Sequence, residues 1–170
     1  MNIVLLGYMG CGKTTIGKIL SKITGKKFID LDSYIESTTN QTISDLFSLK
    51  GEIYFRKLES DCLKVIMAKH DNIVLSLGGG TPCYSNNLTL IQNSKSFFLK
   101  YSINILSNRL ININSSRPIL SDIDNLDKMN DHIAKHLFER NYFYNQASTI
   151  IQCDFKDQDE IANEIASLLA

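Results

Sequence analysis

The run Gly7-Tyr8-Met9-Gly10-Cys11-Gly12-Lys13-Thr14 has the spacing G-x-x-x-x-G-K-[ST]. Glycines at these places let the backbone curl until several N–H groups converge on one anion. A helix starting behind them adds its positive end. In such a loop the lysine reaches the β- and γ-phosphates of a nucleoside triphosphate, and the next hydroxyl ligates Mg²⁺. Those roles fall to Lys13 and Thr14. Cys11 is either a thiol activated by the helix end or simply a small side chain between two glycines, and we read it as the latter.

A second group of residues could handle an acceptor molecule. Asp30-Leu31-Asp32 sets two carboxylates two residues apart, on one side of an extended strand. One could hold Mg²⁺ through water while the other faces a hydroxyl group, or both could be solvated acids ahead of a helix. Arg56 and Glu59 have helical i,i+3 spacing. Glu59 either orients Arg56 or forms a plain i,i+3 ion pair with it. Gly78-Gly79-Gly80 would let backbone approach a ring closely. Arg117-Pro118 and Arg140 supply further forked cations suited to carboxylate or phosphate.

These residues need a frame that brings them together. Ile3–Leu6 is a short apolar run of the kind buried on both faces of a sheet. Ile16, Ile19, Leu20 and Ile23 mark a helix that Gly25 stops. Lys27–Asp30 reads as a strand. The capping-box spacing of Ser33 and Glu36 places the next helix start just after Asp32. Phe55, Leu58, Cys62 and Ile66 predict a longer helix after Gly51. Strands are expected over Ile73–Leu77, Ser96–Tyr101 and Thr149–Cys153. Helices are expected over Ile105–Ile111, around Met129, Ile133, Leu137 and Tyr144, and after Asp157. This alternation predicts a three-layer α/β/α domain on a five-stranded parallel sheet, with ligands bound beyond the carboxyl ends of the strands. The polar stretch 112–125 is the candidate mobile lid.

The 170 residues suit a single domain, 1–170, and an apolar content of 44% is enough for a core without disulfides or structural metal. Lys+Arg (18) balance Asp+Glu (18), so no net field draws the chain to nucleic acid or a membrane surface. Cys11, Cys62, Cys83 and Cys153 show no zinc spacing and read as reduced thiols. No signal-peptide pattern or membrane-length apolar run is present, so the expected location is cytoplasmic. A monomer is expected because no exposed apolar stripe is evident. His70, His132 and His136 are expected on helix surfaces.

The ordered set D-x-D, G-E-x-x-F-R, G-G-G, R-P and R-x-x-x-Y behind the phosphate loop resembles shikimate kinase, from the loop to about Ala147. The resemblance implies a P-loop kinase fold with a mobile lid. It also implies transfer of the ATP γ-phosphoryl group to the 3-hydroxyl of shikimate, on the way to chorismate and the aromatic amino acids. By matching motifs it assigns Asp32, Arg56, Gly79 and Arg140 to shikimate. Gly10, Cys11, Gly12, Lys13, Thr14 and Thr15 go to the ATP phosphates, and Thr14 with Asp30 to Mg²⁺. Arg109 is implied on the adenine side, and Arg117 as a lid residue that swings in. Lys13, Asp32 and Arg117 would carry the chemistry. One departure is that 151–156 offers no arginine to pack on adenine. The rival readings are a kinase for another hydroxy acid, such as gluconate, and an ATP-binding regulator with no acceptor.

Overall fold

The computed structural model describes residues 1–111, 123 and 125–169. Most of the expected lid, 112–125, including Arg117, lies outside them.

Strands β1 (Ile3–Leu6), β2 (Lys27–Asp30), β3 (Ile73–Ser76), β4 (Lys95–Lys100) and β5 (Thr149–Gln152) form one sheet of order β2-β3-β1-β4-β5. Every neighbouring pair is parallel. β1 is fully buried because both its faces are covered. Ile3 and Leu5 enter one apolar cluster, while Val4 and Leu6 enter another on the opposite face. That two-residue alternation splits the core into two layers around the sheet.

The first layer holds α1 (Lys13–Thr24), α6 (Ile103–Ile111), α7 (Leu126–Tyr144) and α8 (Gln158–Ser167). Helix α8 starts with a full capping box between Asp157 and Glu160. The other layer holds α2 (Leu31–Thr39), α3 (Ile43–Lys50), α4 (Glu52–Lys69) and the short α5 (Asn87–Leu90). A single 3₁₀ turn, Thr81–Cys83, follows the glycine run.

Two expectations need correction. Helix α2 begins at Leu31, directly after the strand, and not beyond Asp32. Asp30 is the N-cap, and its Oδ1 accepts from the Ser33 backbone N–H at 3.2 Å. This earlier cap wins because Asp30 is already extended, at φ −104° and ψ 125°. Glu36 does not close a box with Ser33; its Oε1 accepts from Ile43 N at 2.9 Å and ties α2 to α3. The second correction concerns the surface. Phe138 and Tyr142, one turn apart on α7, are 88% and 72% exposed. The surface therefore does carry an apolar stripe, and the sequence-based ground for a monomer falls.

Candidate active site

The loop between β1 and α1 wraps around the head of the helix. Gly12 caps α1 at φ 85°, a left-handed conformation that side chains with a Cβ rarely adopt. Lys13, the first residue of the helix, is only 8% exposed. Its Nζ donates to the carbonyls of Gly7 and Tyr8 at 2.8 and 3.0 Å and lies 3.5 Å from Cys11 Sγ. The ammonium is thus held within the loop, close to where phosphate oxygens would sit. Cys11 is fully buried, consistent with its reading as a packing residue.

At the end of β2, Thr14 Oγ1 donates to Asp30 Oδ2 at 2.7 Å. A hydroxyl and a carboxylate in contact make a hard oxygen donor pair, the set Mg²⁺ selects. Asp32, on the first turn of α2 instead of a strand, faces the same space. Its carboxyl is pushed up to about 6 by burial, then by the charges of Asp30 and Glu59, with Lys13 pulling the other way. Asp30, Glu59 and Lys13 therefore all act on the Asp32 carboxyl. A cavity of about 430 Å³ is lined by Gly10, Gly12, Lys13, Thr14, Asp30 and Asp32 together with Gly78 and Gly79. A larger cavity, about 730 Å³, opens beyond Arg56 beside Tyr84, away from the phosphate loop.

The glycine run after β3 forms the floor between these groups. A Cβ on Gly79 would lie 3.1 Å from Met9 N, so the bare backbone lets the run meet the phosphate loop. A Cβ on Gly80 would fall 2.6 Å from Arg56 Nη2. Arg56 reaches this floor from α4. Its Nη1 donates to Glu59 Oε2 at 3.0 Å, and its guanidinium lies 4.2 Å from the centre of the Tyr84 ring. Glu59 is 1% exposed and its other oxygen accepts from Thr81 Oγ1 at 2.6 Å. The expected i,i+3 ion pair is therefore present, and Glu59 is also tied to Thr81 in a buried network that holds Arg56 in place. Arg140 arrives from α7 on the other side. Both arginines act on the Cys83 thiol, which burial nonetheless pushes up to about 11. Arg56 thus lies against Gly80, and Arg140 is near enough to Cys83 for its charge to be felt there.

Arg109, at the end of α6, stacks 4.3 Å over the Tyr101 ring, and its Nη1 points to Gly10 O at 3.5 Å. It flanks the phosphate loop on the α6 side. In the stretch lacking an arginine, Lys156 pairs with Glu164 at 2.6 Å and Phe155 is 99% exposed. Arg117 lies outside the described residues. Gly10, Gly12, Lys13, Thr14, Thr15, Asp30, Asp32 and Gly79 line the one cavity, whereas Arg56 lines the larger one and Arg109 flanks the loop.

Sequence reasoning missed part of the α7 side. His132 and His136 are not surface residues but partly buried, with ring centres 4.2 Å apart. His136 Nδ1 lies 2.9 Å from the Tyr8 hydroxyl. The Tyr144 hydroxyl donates to Gly79 O. Spacing offered one clue, since 136, 140 and 144 fall on one stripe of α7.

Comparison with known proteins agrees with this geometry. The family model described as shikimate kinase matches residues 9–170. The shikimate kinase of Flavobacterium johnsoniae is 46% identical over 170 residues, covering 99% of this chain and 98% of that protein. The crystal structure of shikimate kinase from Bacteroides thetaiotaomicron superposes with a TM-score of 0.90 at 36% identity, over 99% of this chain and 98% of the other. Shikimate kinase from Acinetobacter baumannii, solved in complex with shikimate, gives 0.89 at 29% identity, over 99% and 92%.

Proposed function

The chain belongs to the shikimate kinase family, and from that membership we propose that its pocket transfers the γ-phosphoryl group of ATP to the 3-hydroxyl of shikimate. The products are shikimate 3-phosphate and ADP. One observation carries this reading: the phosphate loop, the raised Asp32 carboxyl and Gly79 line one cavity, and Arg56 lies against the same glycine run at Gly80.

Each residue has a task that follows from its position. Gly10 to Thr15 cradle the phosphates with backbone N–H groups, and Lys13 neutralises charge as the β–γ bridge opens. Thr14 and Asp30 would hold Mg²⁺, which would offset phosphate charge when bound. Asp32 accepts a hydrogen bond from the acceptor hydroxyl and takes up its proton. Arg56 and Arg140 grip the acceptor carboxylate, and Gly79 lets the ring lie close. Arg109 covers the adenine. Arg117, by its match to the family motif, would complete the charge around the transferring group. The acceptor and donor are small molecules, and the enzyme acts in the cytoplasm. No helix among the described residues is long and apolar enough to cross a membrane.

A coupled assay of ADP release tests the reading with shikimate, gluconate, a nucleoside monophosphate and no acceptor. Release only with shikimate is the expected outcome. Release with gluconate alone would move the chain to another substrate, and release independent of acceptor would make it an ATPase or a regulator.

The carboxylate clamp makes a separate prediction. Arg56→Ala and Arg140→Ala should each weaken shikimate binding about 10- to 100-fold, since each removes charge-assisted hydrogen bonds of about 1.5–3 kcal/mol. Calorimetric titration with shikimate reads this directly. ATP affinity should stay near the parent value, and unchanged shikimate affinity in both variants would remove the clamp.

A further inference from the structure

Tyr8 joins two halves of the site through two different atoms. Its backbone carbonyl accepts from Lys13 Nζ at 3.0 Å, on the donor side. Its hydroxyl sits 2.9 Å from His136 Nδ1, on α7, and its ring is 1% exposed. The guanidinium of Arg140, one turn beyond His136, lies 5.7 Å from the centre of the same ring. One turn further, the Tyr144 hydroxyl donates to Gly79 O and its ring packs 5.0 Å from Phe98. Arg140 is therefore bracketed by two ties between α7 and strand-end loops. One tie reaches the loop after β1, and the other reaches the loop after β3.

We propose that Tyr8 and His136 form a positioning pair that fixes the helix turn bearing Arg140 against the phosphate loop, so that the acceptor grip depends on this hydrogen bond. The inference rests on the kinase reading above and deepens it, because neither residue belongs to the expected acceptor or nucleotide contacts. Without the pair, the turn bearing Arg140 would lose its hydrogen-bonded tie to the phosphate loop and keep the tie to Gly79 through Tyr144. A carboxylate clamp gains its strength from preorganisation, so a looser guanidinium binds less well even though its charge remains.

The surroundings of His136 suit this role. Burial, then Arg140 and His132, hold the imidazole down at about 4, with Lys135 adding to the effect and Glu139 opposing it. At neutral pH the ring is uncharged and adds no second cation beside Arg140. The hydroxyl can donate to a bare Nδ1 or accept from a protonated one.

The test uses the full chain and four variants. Tyr8→Phe deletes one oxygen and keeps the ring. His136→Leu removes the partner, and His136→Gln keeps both a donor and an acceptor. The fourth is the Tyr8→Phe/His136→Leu double variant. Tyr8→Phe and His136→Leu should each raise the shikimate KM and calorimetric Kd about three- to tenfold, the range of one buried hydrogen bond. ATP KM and kcat should stay within about twofold. His136→Gln should recover most of the loss, and the double variant should be no worse than either single one. Equal losses for ATP and shikimate, additive losses in the double variant, or unchanged shikimate binding in Tyr8→Phe would each overturn the proposal. A parent that releases no ADP with shikimate would overturn the kinase reading and this pair with it. An active parent with unmoved variants overturns the pair alone.

Discussion

Lys13→Met should lower kcat about 10³-fold or more while leaving the fold in place. Methionine keeps most of the apolar stem and removes the charge. The ammonium is almost enclosed, 8% exposed, and its hydrogen bonds go to Gly7 O and Tyr8 O. A cation held this way need not reorganise when charge builds on the phosphates, which makes its electrostatic effect large. The loss should fall mainly on kcat because that charge peaks in the transition state. A moderate drop in Tm is expected as well, since two loop carbonyls lose a partner. The pH profile provides a second readout. Lys13 is the cation that pulls the Asp32 carboxyl downward, so the acid limb of the residual activity should move to higher pH. Steady-state ADP release at saturating ATP, measured across pH, checks both points. A kcat near the parent value would remove Lys13 from the mechanism.

The parts of this site legible in the sequence are those with a local signature. The phosphate loop is eight consecutive residues between a buried strand and an amphipathic helix, so its position followed from the pattern. The three central strands, β1, β3 and β4, were legible because each carries a short apolar run, as burial on both faces requires, while the edge strands β2 and β5 mix apolar with polar residues. Arg56 and Glu59 were legible as a pair because a helix sets i and i+3 side by side. That Glu59 is buried and also bonded to Thr81 was not, since Thr81 comes from a different element.

Caps and long-range bonds were harder to read. Two cap choices competed near Asp30, and the pattern favoured Ser33 with Glu36. The choice turned on the extended backbone of Asp30 at the end of β2, which tertiary pairing with β3 sets. Helix α3 went unread although Thr42 accepts from Asp45 N at 3.1 Å, because eight residues give too few turns for a clear apolar period. The Tyr8–His136 contact spans 128 positions and joins two polar tips, so no periodicity reports it. Reading His136 as a surface residue was reasonable on spacing and wrong on packing.

Asp32→Asn should lower turnover about 10²- to 10⁴-fold and, at neutral pH, make the protein more stable. The two effects share one cause. Burial and the neighbouring Asp30 and Glu59 charges raise the Asp32 carboxyl to about 6 from its ordinary value of 3.8. Between those values the folded chain binds more protons than the unfolded chain, so this residue's contribution to stability falls as pH rises through that window. Above it the folded protein carries a destabilised carboxylate, and asparagine removes that penalty. The gain at pH 7 should be about 1–2 kcal/mol, reduced from the full linkage figure because water still reaches part of the group. It should vanish near pH 4, where the parent carboxyl is already protonated. The same strain serves catalysis, because a carboxyl near 6 takes up a hydroxyl proton far better than one near 4. The parent kcat/KM for shikimate should accordingly decline below about pH 6, and the variant should lose this limb. Thermal melts at pH 7 and pH 4, with kcat at both, check the pair of effects. A variant that is less stable at pH 7, or one that turns over like the parent, would show that Asp32 is neither strained nor in contact with the acceptor.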